Sequence, residues 1–193
     1  MKKNNIFLTC EHAANFIPAE YKNAFNPQKS VSGPWGTKKA KDVLSDHWGW
    51  DIGALLLAKF LEKELRVPLS VFPVSRLLIE GNRYRRSSFF SVFSQSFSEA
   101  DKNFLIKKYW QPHADEIFAL INAKKKKGRA LHVAVHSFTP VYKGTKRKGD
   151  IGILFDPKRA DEKSFAHKFQ SSLRRELPEF IIRRNYHYSG VSE

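Results

Sequence analysis

Cysteine is almost missing from this chain: Cys10 is the only one in 193 residues. A single thiol cannot form an intramolecular disulfide, so oxidative stapling of the fold is excluded and a reducing cytoplasm is the expected home. Long apolar runs are missing as well. No stretch approaches the ~20 apolar residues of a membrane span. Lys2 and Lys3 precede only the short run Ile6 to Leu8, well below the roughly 7–15 apolar residues of a secretory signal. Acidic residues are few beside basic ones, 19 against 34, for a formal charge of +15.

A hydrophobic content of 41% with 13% aromatics is a globular composition, not a disordered one. The length suits a single domain, residues 1–193, able to bury a core without disulfides or structural metals. The positive charge collects in Lys124 to Lys127, in the loop Lys143, Lys146, Arg147 and Lys148, and in the pairs Arg174–Arg175 and Arg183–Arg184. Such a field attracts nucleic acid, anionic lipid or small anions. Solvated helix ends and loops explain the same residues. No segment interleaves aromatic and basic side chains in a recognised nucleic-acid module.

Hydrophobic periodicity orders the elements. Residues 5–10 read as a short strand, and an irregular stretch punctuated by Pro18, Pro27, Gly33 and Pro34 follows. From Trp50 to Leu65 the pattern is helical, with Ile52, Leu55, Leu56 and Phe60 on one face and Asp51 in the first turn. "PLSVFPV" at 68–74 predicts a strand that bends at Pro73. A Ser/Phe-rich loop at 85–98 leads to a helical segment around Phe104 to Tyr109 and a second one from Pro112, carrying Ile117, Phe118 and Ile121 and stopping at Gly128. Strands are expected at 130–136, at "IGILF" 151–155 and at "FII" 180–182; Phe165, Phe169 and Leu173 mark a helix that stops at Pro178. This alternation predicts an α/β fold of the phosphorylase/hydrolase-like kind, a three-layer sandwich whose mostly parallel mixed sheet carries helices on both faces.

In such sheets ligands bind beyond the carboxyl ends of the strands, and here those ends are unusual. "LHVAVHSFTP" runs from alternating apolar residues into His136, Ser137 and Thr139. "FLTCEHAAN" ends in Glu11 and His12, "SDHWGWDIG" sets Asp46, His47 and Asp51 among tryptophans, and "SRLLIEGNRYRR" carries Arg76, Glu80, Asn82 and Arg83. Imidazoles and carboxylates from separate loops suit zinc, which in catalytic sites takes three protein ligands and leaves one position open. His12, His47 and His136 could supply three nitrogens, although no HExxH or CxxC pattern is present. Each residue also has a quieter reading, as a loop donor, a helix cap or a surface charge. His113, His132, His167 and His187 read as structural or exposed.

"LTCEHAANFIP", "DHWGWDIGALLLA", "SRLLIEGNR", "AVHSFTPVYKG" and "DIGILFDP", in this order, resemble the N-formylglutamate amidohydrolase family, from about residue 6 to 157 and more loosely to "NYHYSG" at 185–190. The resemblance implies a carboxypeptidase-like α/β fold and a metal-dependent hydrolase, with one zinc ion, that removes formate from an N-formylated acidic amino acid such as N-formylglutamate. It sets His12, His47 and His136 at the metal positions. Arg76, Asn82 and Arg83 follow as carboxylate-binding residues, because a guanidinium grips a carboxylate in two-pronged fashion. The family usually continues past this region to a late strand carrying a glutamate, whereas this sequence reads "NYHYSGVSE". The expected base is absent on that count, leaving Glu11 or Asp51 to act on the water. The rival expectation is a non-catalytic relative that binds anionic ligands or nucleic acid on the same fold.

Overall fold

The computed structural model of the chain describes residues 5–126, 128–142, 144–186, 188 and 190. His187 and Glu193 lie outside the described residues. Two compact units divide the chain, Met1–Phe138 and Thr139–Glu193.

The first unit is built on strand β1, Ile6–Cys10. A hairpin follows, β2 at Ser30–Gly33 with β3 at Gly36–Lys39, running directly into helix α1 at Ala40–Ser45. Helix α2 is Ala54–Leu65 and strand β4 is Leu69–Val71. Helix α3, Glu99–Leu105, passes through a π-helical turn at Ile106–Trp110 into α4, Gln111–Lys125. Strand β5, Leu131–Ala134, completes a parallel sheet of order β4-β1-β5. The chain is therefore α/β with a parallel sheet and packed helices. Among the described residues no helix is long and apolar enough to cross a membrane.

Side-chain alternation along the strands decides what each helix meets. Cys10 packs with Ala13, Ala54, Ala58 and Val135, and Leu69 and Val71 join them. The residues of opposite parity, Ser70 and Phe72, meet His113 of α4: the Ser70 hydroxyl contacts both His113 Nδ1 (3.0 Å) and the Glu116 carboxylate, and Phe72 takes the imidazole edge-on. The larger core gathers Tyr21, Phe25, Val43, Phe72, Val74, Leu77, Leu78, Ile79, Phe89, Phe93 and Leu105. Phe89 and Phe93, from the stretch read as a Ser/Phe-rich loop, belong to it.

Three expectations change in detail. The apolar stripe assigned to α2 is buried only in part: Ile52, Leu56 and Phe60 are exposed, Leu56 to 78%, Leu55 is half-buried against the small core, and Ala54 and Ala58 are buried. Small side chains let this helix lie close on the sheet, and size rather than hydrophobicity chose the face. The two helices expected around 104 and from 112 are one helical run, since Pro112 at the start of α4 lacks only an N–H that the π turn leaves unused. The stretch read as irregular holds the β2–β3 hairpin and α1.

The second unit contains the hairpin β6 and β7, Val141–Tyr142 with Thr145–Lys146, the parallel pair β8 and β9, Ile151–Ile153 with Ile182–Arg184, and helix α5 at Ala160–Glu176. The last strand falls two residues later than "FII". Helix α5 buries Ala166 and Gln170, whose side-chain amide donates to the Ile182 carbonyl.

Candidate metal and active site

Residues leaving the carboxyl ends of β1 and β5 meet because the two strands are parallel neighbours. Thr9 pairs with Ala134 in register, and the Val135 N–H still donates to the Thr9 carbonyl at 2.8 Å. One step further, the same register sets Glu11 beside His136. The Asp51 N–H donates to the His12 carbonyl at 2.9 Å, fastening the loop before α2 to this edge. Gly53, at φ +85°, then turns the backbone sharply into α2. Asp51 consequently sits ahead of the helix, not in its first turn, and its carboxylate is left to face the histidines.

The ligand atoms of His12, Asp51 and His136 all lie within 4.8 Å of one another, the group among the described residues that could hold a metal ion. His136 Nδ1 is 2.8 Å from Asp51 Oδ2, which also accepts the Ser137 N–H at 3.3 Å. His12 Nδ1 lies 3.5 Å from the same oxygen and, although buried, has no hydrogen-bond partner. The two imidazole rings are 4.9 Å apart and tilted by 58°. His47 does not join this group: its Nδ1 is 2.8 Å from Asp46 Oδ1 and its ring lies against Trp48.

The outer nitrogen of His12 is held separately. Nε2 is 2.6 Å from Glu80 Oε1, an oxygen that also accepts the Asn82 N–H at 2.9 Å. Arg76 closes the arrangement, with Nη2 at 3.1 Å and Nε at 3.2 Å from Glu80 Oε2 and Nη1 at 3.7 Å from Asp51 Oδ1. Gly81 permits this turn to pack on the end of β4, because a Cβ there would meet the Phe72 ring at 2.8 Å. Glu80, carried by the same "SRLLIEGNR" segment as the expected arginines and noted with them, is the site residue to which sequence reasoning gave no role. Its signal was a carboxylate four residues after Arg76 in an otherwise apolar turn.

Charge balance follows from this geometry. Burial alone would raise the Asp51 carboxyl, but the His136 hydrogen bond and the adjacent His12 and His136 imidazoles outweigh it and hold the pKa far below the usual range. Burial opposes Glu80 ionisation too, and the His12 and Arg76 charges bring it down to about 2. For His12 burial disfavours the cation, yet Glu80 and Asp51 raise its pKa on balance. Cys10 is pushed up to about 12 by burial and by the nearby Glu11 and Asp51 charges, so its thiol is no nucleophile. Of the remaining expected residues, Arg83 is half-buried, with Nη1 donating to the Asn82 carbonyl at 3.2 Å and its own carbonyl accepting the Trp110 indole N–H. Glu11 is buried, with Oε2 3.5 Å from His136 Nε2.

The fold and site together define a hydrolase-like α/β protein whose sheet edge gathers imidazoles and carboxylates in a metal-capable group. Its family is N-formylglutamate amidohydrolase: that family model matches residues 5–192, and the chain belongs to it. The crystal structure of a gene product from Agrobacterium tumefaciens is similar over 97% of this chain and 73% of that one, at 28% identity and a TM-score of 0.75. Comparison with curated proteins finds no match.

Proposed function

We propose that this chain hydrolyses the amide of an N-formyl or N-acyl acidic amino acid, N-formylglutamate being the first substrate to test, with one zinc ion held by His12, Asp51 and His136. The observation that carries the reading is the convergence of these three side chains beyond β1 and β5. The donor set fits such an ion: two imidazoles and a carboxylate suit zinc, and His12 offers a buried Nδ1 that nothing else engages. When bound, zinc polarises the amide carbonyl and makes water a competent nucleophile near neutral pH. Glu80 fixes the His12 ring, so that Nε2 carries the proton and Nδ1 faces inward. Asp51 is assigned to the ligand group rather than to proton transfer, and His47 to the packing of its own loop. Arg83 with Asn82 is assigned to the substrate carboxylate, and Arg76 to bracing Glu80 and Asp51.

The family match across residues 5–192 supports reading both units as one amidohydrolase-like domain. We read the architecture as a three-layer sandwich on a mostly parallel mixed sheet, supported by the opposite parities of the residues that meet α2 and α4. A cytoplasmic protein acting on a small molecule fits the single, free, buried thiol.

The test pairs metal analysis with turnover. Purified protein is expected to take up one zinc per chain and to release formate from N-formylglutamate, and His136→Ala is expected to lose both while keeping its far-UV circular dichroism. Wild-type protein that takes up zinc but turns over no N-formyl or N-acyl acidic amino acid would overturn the substrate assignment. Uptake unchanged in His136→Ala would overturn the metal site.

A further inference from the structure

Glu11 is the buried charge that the proposed mechanism leaves unused. Only 3% of its surface is exposed, and its Oε2, fully enclosed, makes no hydrogen bond. The polar atom it faces is His136 Nε2, at 3.5 Å. A carboxylate oxygen held out of water without a donor is destabilising, so its position calls for a partner that the fold supplies in some state of the site.

Each of the two site imidazoles turns Nδ1 towards Asp51 and Nε2 towards a glutamate. For His12 the outer partner is Glu80, at 2.6 Å; for His136 it is Glu11. The two carboxylates come from different elements, the end of β1 and the turn after β4, yet occupy equivalent places. We propose that Glu11 is a positioning residue: it accepts the Nε2–H of His136 and thereby keeps Nδ1 free as a ligand atom, as Glu80 does for His12. The proposal rests on the metal reading above and goes beyond it, because it assigns Glu11 a role through His136 instead of one as general base.

The physical reason is tautomeric. A neutral imidazole carries one N–H, and the nitrogen that binds a cation must be the other. Without Glu11, the pull of Asp51 on the Nδ1 proton is unopposed, and that tautomer cannot bind a cation through Nδ1. The strand register makes the contact robust, since Glu11 and His136 follow paired positions of β1 and β5.

Two readouts on the full chain test this. The first is zinc affinity by competition titration, and the second is the ring ¹⁵N shifts of His136 in zinc-loaded protein. Glu11→Gln is expected to weaken zinc binding ~10–100-fold and to move the His136 Nε2 shift of the loaded protein towards that of a weaker N–H hydrogen bond, with the His12 shifts unchanged. Should Glu11→Gln melt early, Glu11→Asp, which keeps the carboxylate on a shorter stem, is expected to show the same losses at smaller size. Zinc affinity within twofold of wild type together with unmoved ring shifts overturns the proposal. So does lost turnover with affinity and shifts intact, which marks Glu11 as acting directly on the reacting proton. If wild-type protein takes up no zinc, the metal reading fails and this role for Glu11 with it; zinc uptake by wild type with an unaffected Glu11→Gln overturns the role alone.

Discussion

Glu80 carries more of the site than its position in the sequence suggests, because almost no water reaches it and three groups converge on it. His12, Arg76 and the Asn82 N–H all engage its two oxygens. The sign of its pH dependence follows from its lowered pKa: its contribution is complete above about 4.5 and is lost as pH falls towards about 2. His12, with a raised pKa, contributes below 6.5 and loses that contribution as pH rises through its folded value. The metal-free pair is therefore strongest between those limits. Replacing Glu80 by Gln keeps the shape and removes the charge, and hydrogen bonds to charged groups are worth about 1.5–3 kcal/mol. Glu80→Gln is expected to lower the denaturation midpoint accordingly and to weaken zinc uptake, because His12 is no longer oriented. An unchanged midpoint with full zinc affinity would show that the network is incidental.

Elements show where sequence patterns mislead. In α2 three of the four stripe residues, Ile52, Leu56 and Phe60, face outward, while the helix seats on Ala54 and Ala58 with Leu55 half-buried beside them. Periodicity gave the helix, but it could not say which of two apolar faces lies inward when the inner one is made of alanine. Ala58→Leu is expected to cost about 1–3 kcal/mol through overpacking, and Leu56→Gln to stay within about 0.5 kcal/mol of wild type; chemical denaturation of both variants checks the pair. A reversed order would mean that the exposed face is covered in solution. The same limit explains the helical run 99–125, read as two helices because Pro112 looked like a start and the π turn before it has no sequence period of its own. Strand ends were more legible. His12 and His136 stood out because polar residues closed apolar runs, and parallel pairing brings such ends together. Asp51 read as a helix-dipole charge because only the turn at Gly53 reveals that its carboxylate faces elsewhere, and Glu80 hid within an apolar segment. His47 was drawn into the ligand set by the residue types at these loop ends and again by the family motif; its Nδ1 lies 2.8 Å from its neighbour Asp46, and it is not among the three side chains whose ligand atoms converge.

At the scale of the whole molecule, the first unit conceals a polar seam beneath its sheet. His113 is 6% exposed, with the Ser70 hydroxyl on Nδ1 and Phe72 against its ring. Burial lowers its pKa, and the Glu11 and Glu116 charges offset this only in part. A histidine whose folded pKa lies below its unfolded value leaves the unfolded chain binding the proton first. Its contribution is therefore whole above about 6.5 and declines as pH falls through 6.5 towards the lowered value. His12 acts in the opposite direction on the other side of 6.5, so the shape of one stability curve across neutral pH does not separate them. A difference between two curves does. His113→Asn removes the titrating ring, keeps a polar side chain near Ser70, and leaves His12, Asp51 and Glu80 in place. Unfolding free energies measured in urea at pH 7.5 and 5.5, on metal-free protein, are expected to fall less in His113→Asn than in wild type, even if the variant is weaker at both values. Parallel losses in the two proteins would mean that His113 does not resist protonation in the fold, and that acid sensitivity above pH 5 originates in groups other than this seam.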